Sequence, residues 1–438
     1  MSRYLVMLTL VIAGEMVFGL PFSTARFFRP TLLEVFNFSN TQLGDLFAVY
    51  GVTAMLGYFP GGALADRYSA RALLTASLVT TGAGGLYMAT LPGAAGMALL
   101  YGYWGITTIF LFWGALIRAA RDWGGAESQG IAFGVLEAGR GAVAAIVATL
   151  AVSVLAWYLP EDATLATDAE RRAAFRMVVI IYSAITLGAG ALTWLMIPAS
   201  SENSTSRGNP LSGMGIVLRR PIVWAQAAII VCAYCGYKGL DNYSLYAVQV
   251  LGMDEVEGAR LASYGAYIRV VAPIVAGLIA DRLDAARSIG VYFSILAAVY
   301  LLLNVLSPER SALYVIYLNF SVSFFAVFAL RGIYFALLEE NRTPNFLTGA
   351  AVGMVSVVGY TPEIFFAPIA GRILDANPGI VGHQNYFLFL TGIAVLGVVV
   401  VVWLLWLRQH GEASLWPRAG RYSDGEINYG REGSVLDD

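Results

Sequence analysis

The chain has 438 residues, of which 58% are hydrophobic and 13% charged, with a formal net charge of −2 and a mean hydropathy of +0.68. Soluble domains carry about 25% charged residues, so this composition belongs in a membrane. The near-neutral balance and the lack of a basic run argue against a nucleic-acid partner. Two cysteines, Cys232 and Cys235, permit one bridge at most.

Runs that meet the ~20 apolar residues of a spanning helix predict helices near 4–27, 41–65, 71–92, 96–120, 129–158, 174–198, 221–248, 259–281, 286–306, 312–338, 345–373 and 384–408. The first run leads into further spans, so it reads as a first transmembrane helix and not as a cleaved signal. Six helices fall on each side of a polar segment, residues 200–220, that begins Ser-Glu-Asn-Ser-Thr-Ser and continues through Arg207, Gly208, Asn209 and Pro210, which is linker chemistry. Its end, 211–220, mixes apolar residues with Arg219 and Arg220 and predicts a short interfacial helix. The expected domains are a bundle over 1–199, a cytoplasmic linker over 200–220, a second bundle over 221–408 and a cytoplasmic tail over 409–438. Cys232 and Cys235 fall inside the seventh helix and read as small buried residues. No metal or cofactor is expected, and there is no Gly-x-x-x-x-Gly-Lys-Ser/Thr loop for a nucleotide.

Orientation follows from the basic residues. With the N-terminus inside, fifteen Lys and Arg collect on the cytoplasmic side, eight outside and four within the membrane. Both termini are therefore expected in the cytoplasm. In that count Arg26 belongs to the outer group.

Between the second and third helices stands Gly62-Ala63-Leu64-Ala65-Asp66-Arg67-Tyr68-Ser69-Ala70-Arg71. Its small residues suit close helix approach, and its charges place it at the water boundary. A second copy, Gly277-Leu278-Ile279-Ala280-Asp281-Arg282, lies 215 residues on, about half the chain. Gly130–Gly134 and Gly349–Gly353 align at an offset of 219, and glycines at i and i+4 favour close packing in lipid. A two-fold pseudo-repeat, with the site between its halves, is the expectation.

The stretch around Gly62, Asp66, Arg67 and Arg71 resembles the loop between helices two and three of the major facilitator superfamily, with Ser69 and Ala70 in place of its usual Gly and Arg. The resemblance covers essentially the whole chain. It implies an all-α membrane protein of twelve transmembrane helices in two pseudo-symmetric six-helix bundles. It also implies a gating role for Asp66, and helices five and eleven that cross the cavity. Helices four to five (Phe112-Trp113-Gly114 through Gly139-Arg140-Gly141) and the helix-eleven segment are most similar to nitrate/nitrite porters and organophosphate antiporters. In the nitrate branch a helix-eight Arg serves the substrate, and Arg269 is the matching residue. The chain lacks that branch's helix-two Arg and the Asn of its glycine signatures.

Eight ionisable residues lie far from predicted helix ends: Glu15, Glu137, Arg140, Lys238, Asp241, Arg269, Arg331 and Glu363. Each costs at least ~2.5–3.5 kcal/mol at a bilayer centre, so they must face a cavity or one another. Glu137 with Arg140, and Lys238 with Asp241, are three apart and read as structural ion pairs. Arg269 and Arg331 have no acid nearby in sequence and read as solute-binding residues, assisted by Lys238, Tyr237 and Tyr267. Glu363, beside the break signal Gly359-Tyr360-Thr361-Pro362, is the first candidate for proton coupling. Glu15 is the second, since its helix shows no break nearby. Gly62, Asp66, Arg67, Arg71, Asp281 and Arg282 are gating candidates.

The function expected is a secondary transporter in the plasma (inner) membrane and not an enzyme. It would move a small anionic organic solute by alternating access, with proton coupling, and work as a monomer in the lipid bilayer. The alternatives are a solute-binding sensor of the same fold or a nitrate-like inorganic-anion porter.

Overall fold

A computed structural model describes residues 3–125, 129–198, 214–305 and 313–411, with Trp416. Among them every regular element is helical. Twelve long helices carry the fold. The first half comprises α1 (Arg3–Phe27), α2 (Asn40–Arg67), α3 (Ala70–Met88), α4 (Ala94–Gly124), α5 (Gln129–Tyr158) and α6 (Asp168–Met196). The second comprises α7 (Pro221–Gln249), α8 (Glu255–Leu283), α9 (Ala285–Val305), α10 (Leu313–Glu340), α11 (Asn345–Gly359 continued by Pro362–Ala376) and α12 (Ile380–Gln409). Ten are long and apolar enough to cross a membrane alone. An eleventh is α2, bent by 52° between Asn40–Tyr58 and Pro60–Arg67. Pro60 accounts for the bend, because it removes an amide donor from the helix ladder. The twelfth, α3, is diluted by Thr and Gly and packs against α4 and α6.

An even number of crossings puts both ends of the described chain on one side of the bundle, the terminal end. The other side is the far end. Of the expected linker only its last part is described, including a short helix at Met214–Leu218. The tail beyond residue 411, Trp416 apart, lies outside the described residues.

Two helices start earlier than their apolar runs suggest. At α6, Thr167 and Glu170 form a capping box, and at α8 Asp254 and Glu257 do the same. The caps satisfy the first amides, and the acids oppose the positive end of the helix dipole, so the polar turn is helical. Arg171, Arg172 and Arg176 therefore ride on α6 and not in a loop.

Several helices break near the middle. The expected break in α11 falls at Tyr360 and Thr361. A break in α1 corrects the view that Glu15 has none nearby: Gly19–Ser23 is a π-helical turn around Pro21, whose ring nitrogen cannot donate. In α4 the stretch Ile106–Trp113 is also π-helical.

The halves meet along two seams, α2 against α11 and α5 against α8. Toward the far end these are tight. A Cβ on Gly51 would lie 2.6 Å from the Glu363 carbonyl oxygen, and Cβ atoms on Gly44 and Gly371 would strike facing backbone. Toward the terminal end, Gly62, Gly134, Gly277, Gly349 and Gly353 meet nothing within 4 Å. The close packing expected at those five is thus absent from this conformation, because the halves diverge there.

Candidate solute site

The divergence opens a cavity between the halves. Its charged lining is Glu15 and Arg26 from α1, Arg140 from α5, Lys238 from α7, Arg269 from α8, Arg331 from α10 and Glu363 from α11. Aromatic rings complete the wall, among them Phe18, Phe22, Tyr58, Trp113, Tyr234, Tyr237 and Tyr360.

The charges form two clusters. In the first, Arg269 Nη1 donates to Glu15 Oε1 at 3.0 Å, and Arg140 Nε stands 3.4 Å from Glu15 Oε2. Arg140 also meets Glu137 at 2.5 Å, and Arg269 approaches Glu137 at 3.8 Å. In the second, Asp241 takes Arg26 at 2.5 Å and Lys238 at 3.3 Å. Lys238 also stands 3.2 Å from Glu363, whose other oxygen accepts from the Tyr234 hydroxyl. The Lys238 ammonium is 1% exposed and sits 4.4 Å over Phe22 and 4.6 Å over Phe47, rings of the other half. The clusters cross between the halves through Arg269–Glu15 and the longer Arg269–Glu137 in the first, and through Arg26–Asp241 in the second. Removing one member would strand a buried charge, which costs more than the pair itself contributes.

The local pairs Glu137–Arg140 and Lys238–Asp241 are present, but each is one edge of a larger network. Arg269 meets Glu15, an acid invisible to local spacing. Arg331 makes none of the ion pairs found among the described residues. Its guanidinium lies 3.9 Å over the Tyr237 ring and 5.6 Å from Tyr234, and its Nη1 is buried without a hydrogen-bond partner. Tyr237 lines the cavity and accepts from Arg26 Nη1 at 3.1 Å. Tyr267 does not line it. Its position on α8 turns it to the α5 seam, half-exposed, where its hydroxyl meets Thr149 at 2.6 Å.

Sequence reasoning missed two participants. Arg26 was grouped with the outer charges, but the turn at Pro21 carries it back onto Asp241. Tyr234 is one of four tyrosines on α7, with Tyr237, Tyr243 and Tyr246, and nothing in the sequence singles it out. The one available signal for Arg26 was Pro21 itself, a helix breaker five residues before a basic residue.

The inter-half hydrogen bonds and ion pairs among the described residues run from the cavity to the far end. There Arg171 meets Glu255 at 2.5 Å, Thr31 donates to Glu255 at 2.7 Å, and Arg372 meets Asp45 at 2.9 Å. Asp375 accepts from the Asn40 amide at 3.1 Å, the Asn40 side chain at 3.0 Å and the Thr41 amide at 2.7 Å. Asp66, Arg67, Asp281 and Arg282 sit at the terminal ends of α2 and α8. Arg71, at the start of α3, lies 4.4 Å over Trp194 of its own half. Cys232 and Cys235 are buried free thiols.

Two six-helix halves around a charged central cavity, closed at one end and open at the other, define a membrane transporter of the alternating-access class. Residues 11–367 match the profile of the Major Facilitator Superfamily, and the chain belongs to that family. It is a secondary transporter and not an enzyme. Among its relatives is inner membrane protein YqcE of Escherichia coli (strain K12), 28% identical over 91% of this chain and 93% of that one. Inner membrane protein YihN of the same organism is 26% identical over 90% and 94%. Monocarboxylate transporter 2 of Rattus norvegicus is 30% identical over 33% of this chain and 29% of its own. The fold is shared with a bacterial homologue of the human lysosomal transporter Spinster, solved inward-facing and occupied, at TM-score 0.69 and 13% identity over 95% and 98% of the chains. The nucleoside transporter NupG gives TM-score 0.69 at 12% identity over 92% and 100%.

Proposed function

We propose that the chain carries a small anionic organic solute across a plasma (inner) membrane by alternating access, coupled to protons. The observation that carries this is the charge balance of the cavity. The five bases that line it (Arg26, Arg140, Lys238, Arg269 and Arg331) stand against four acids, two in the lining (Glu15 and Glu363) and two outside it but paired to those bases (Glu137 and Asp241), and every acid has a base within 4 Å. One positive charge is left for a ligand. An arginine cannot shed its proton to escape that cost, so an anion is the fitting occupant.

Proton coupling rests on Glu363 and Glu15, carboxylates that line the cavity, and Glu363 has the break in α11 beside it. The basic-residue count puts both termini in the cytoplasm, so this conformation is open inward. The names of the two bacterial relatives support an inner-membrane setting, and the partial similarity to a monocarboxylate transporter supports an organic anion. Gly62, Asp66, Arg67, Arg71, Asp281 and Arg282 would close the terminal end in the opposite conformation. A solute sensor of the same fold would bind without moving its ligand.

Counterflow in proteoliposomes separates these readings. Preloaded with benzoate, gluconate, glucuronate or lactate, wild-type vesicles should exchange at least one of them for its labelled form. Exchange of neutral sugars or cations alone would contradict the anion reading, and binding without exchange would make the protein a sensor.

A further inference from the structure

We propose that Arg331 receives the solute's single negative charge, and that Tyr234 links that anion to the proton carried by Glu363. The proposal rests on the anion-transport reading and divides the cavity's charges within it. Arg269, Arg140, Arg26 and Lys238 are each held by at least one carboxylate. Arg331 alone among the cavity's bases has none, and its Nη1 is buried and unpartnered. A guanidinium in that state offers a preformed two-toothed fork for a carboxylate.

The same geometry narrows the solute. With Glu363 ionised the surplus in the cavity is one charge, which a monoanion neutralises. Arg331 rests on the faces of Tyr237 and Tyr234, and the remaining wall is largely aromatic. Rings of that kind bury flat or ring-shaped bodies well. The chemical class is a monocarboxylate with a ring body.

Tyr234 belongs to both tasks. Its ring faces the Arg331 guanidinium, and its hydroxyl donates to Glu363. The groups facing Glu363 are Tyr234 and Lys238 from α7 and Tyr50 and Tyr58 from α2, with Arg331 of α10 behind the Tyr234 ring. A proton on Glu363 removes the acceptor charge that holds the Tyr234 hydroxyl and adds one positive charge to the cavity. Both changes favour the anion, and by linkage the anion favours the proton. Solute and proton then travel together. Glu363 also lies on the α2–α11 seam, where its carbonyl abuts Gly51, so its cluster sits on the surface that must part when the far end opens.

The test is binding, read as ligand-induced thermal stabilisation of the full-length protein by benzoate and glucuronate, with benzamide and glucose as neutral controls. At least one carboxylate should stabilise wild type, and its control should not. Arg331→Gln should lose about 10- to 100-fold in affinity, and more than Arg269→Gln loses. If Arg331→Gln does not fold, Arg331→Lys serves instead, and should lose about tenfold with its charge retained. As the pH falls far enough for Glu363 to take its proton, wild-type affinity should rise by about 5- to 150-fold. Glu363→Gln should bind with no such rise. Tyr234→Phe keeps the ring, so it should bind, but the pH of half-maximal affinity should move upward by about 1–2 units. A Tyr234 that is only structural would lower the melting temperature and leave the pH profile where it was, overturning the link. Wild-type affinity in the Arg331 variant would overturn the anion assignment alone. If neither carboxylate stabilises wild type, the proposal falls together with the anion reading.

Discussion

The two ends of the bundle carry the same short pattern in opposite states. At the far end stands Gly371-Arg372-Ile373-Leu374-Asp375, and at the terminal end Gly62 to Asp66 and Gly277 to Asp281. The far-end copy is engaged. Gly371 lets α11 approach the first turn of α2, and Asp375, one turn on, accepts from the Asn40 and Thr41 amides of the other half. That places a carboxylate on the free N–H groups of a helix start, where it is favoured by both hydrogen bonding and the dipole. Gly62 and Gly277 have open space in front of them. The difference teaches that a glycine with an aspartate one turn later joins the halves at the end that is shut, and on the proposed reading Gly62 to Asp66 and Gly277 to Asp281 would do so when the terminal end closes.

The largest effect should come from fixing the closed end. Asp45→Cys with Arg372→Cys, joined by a short bifunctional thiol reagent, should abolish transport, since that pair must separate when the far end opens. Undiminished transport after complete cross-linking would show that the seam does not part. Next is a wedge. Gly51→Val puts a side chain against the α11 backbone and should cost about 1–3 kcal/mol, seen as a lower melting temperature. Gly277→Val should leave the melting temperature alone and slow transport, and equal losses of stability would erase the contrast between the ends.

Asp66→Asn should slow transport about tenfold while solute binding stays within about threefold, following the ~1 kcal/mol scale of a lost charged cap. Normal turnover would remove Asp66 from the gate. Asp375→Asn should shift the balance between conformations by about 2- to 30-fold on the same scale, measured as faster thiol labelling of a cysteine placed at Thr41. The smallest effect is expected for Tyr267→Phe, off the cavity, which should change solute affinity by less than about twofold.

Much of the architecture was legible in the chain. Spans of about 20 apolar residues, the polar break near 200–220 and the repeat of Gly62 in Gly277 fixed twelve helices in two halves, because hydrocarbon leaves the backbone few alternatives. The residues that gather at the site were legible as costs: a charge in mid-membrane has to be excused. Their partners were not. Glu15 and Arg269 are 254 residues apart and meet only because α1 and α8 face one another across the cavity. Arg26 counted as an outer charge at the end of the first helix, and the π-turn at Pro21 redirects it to Asp241. The third copy went unread because Gly371 to Asp375 lies at the far end, where the half-chain offset that links the other two does not reach. A pattern in sequence reports the chemistry of a contact, and which conformation makes it is a property of the folded halves.

The claim that joins these observations is that one proton and one anion cross together through the cavity of Arg331, Tyr234 and Glu363. The direct measurement is luminal pH, read with a trapped fluorescent indicator, in proteoliposomes presented with the carboxylate that stabilises the wild-type protein. Wild type should acidify the lumen as the anion enters, and Glu363→Gln should exchange the anion without moving luminal pH. Anion entry through wild type with no change in luminal pH would contradict the account.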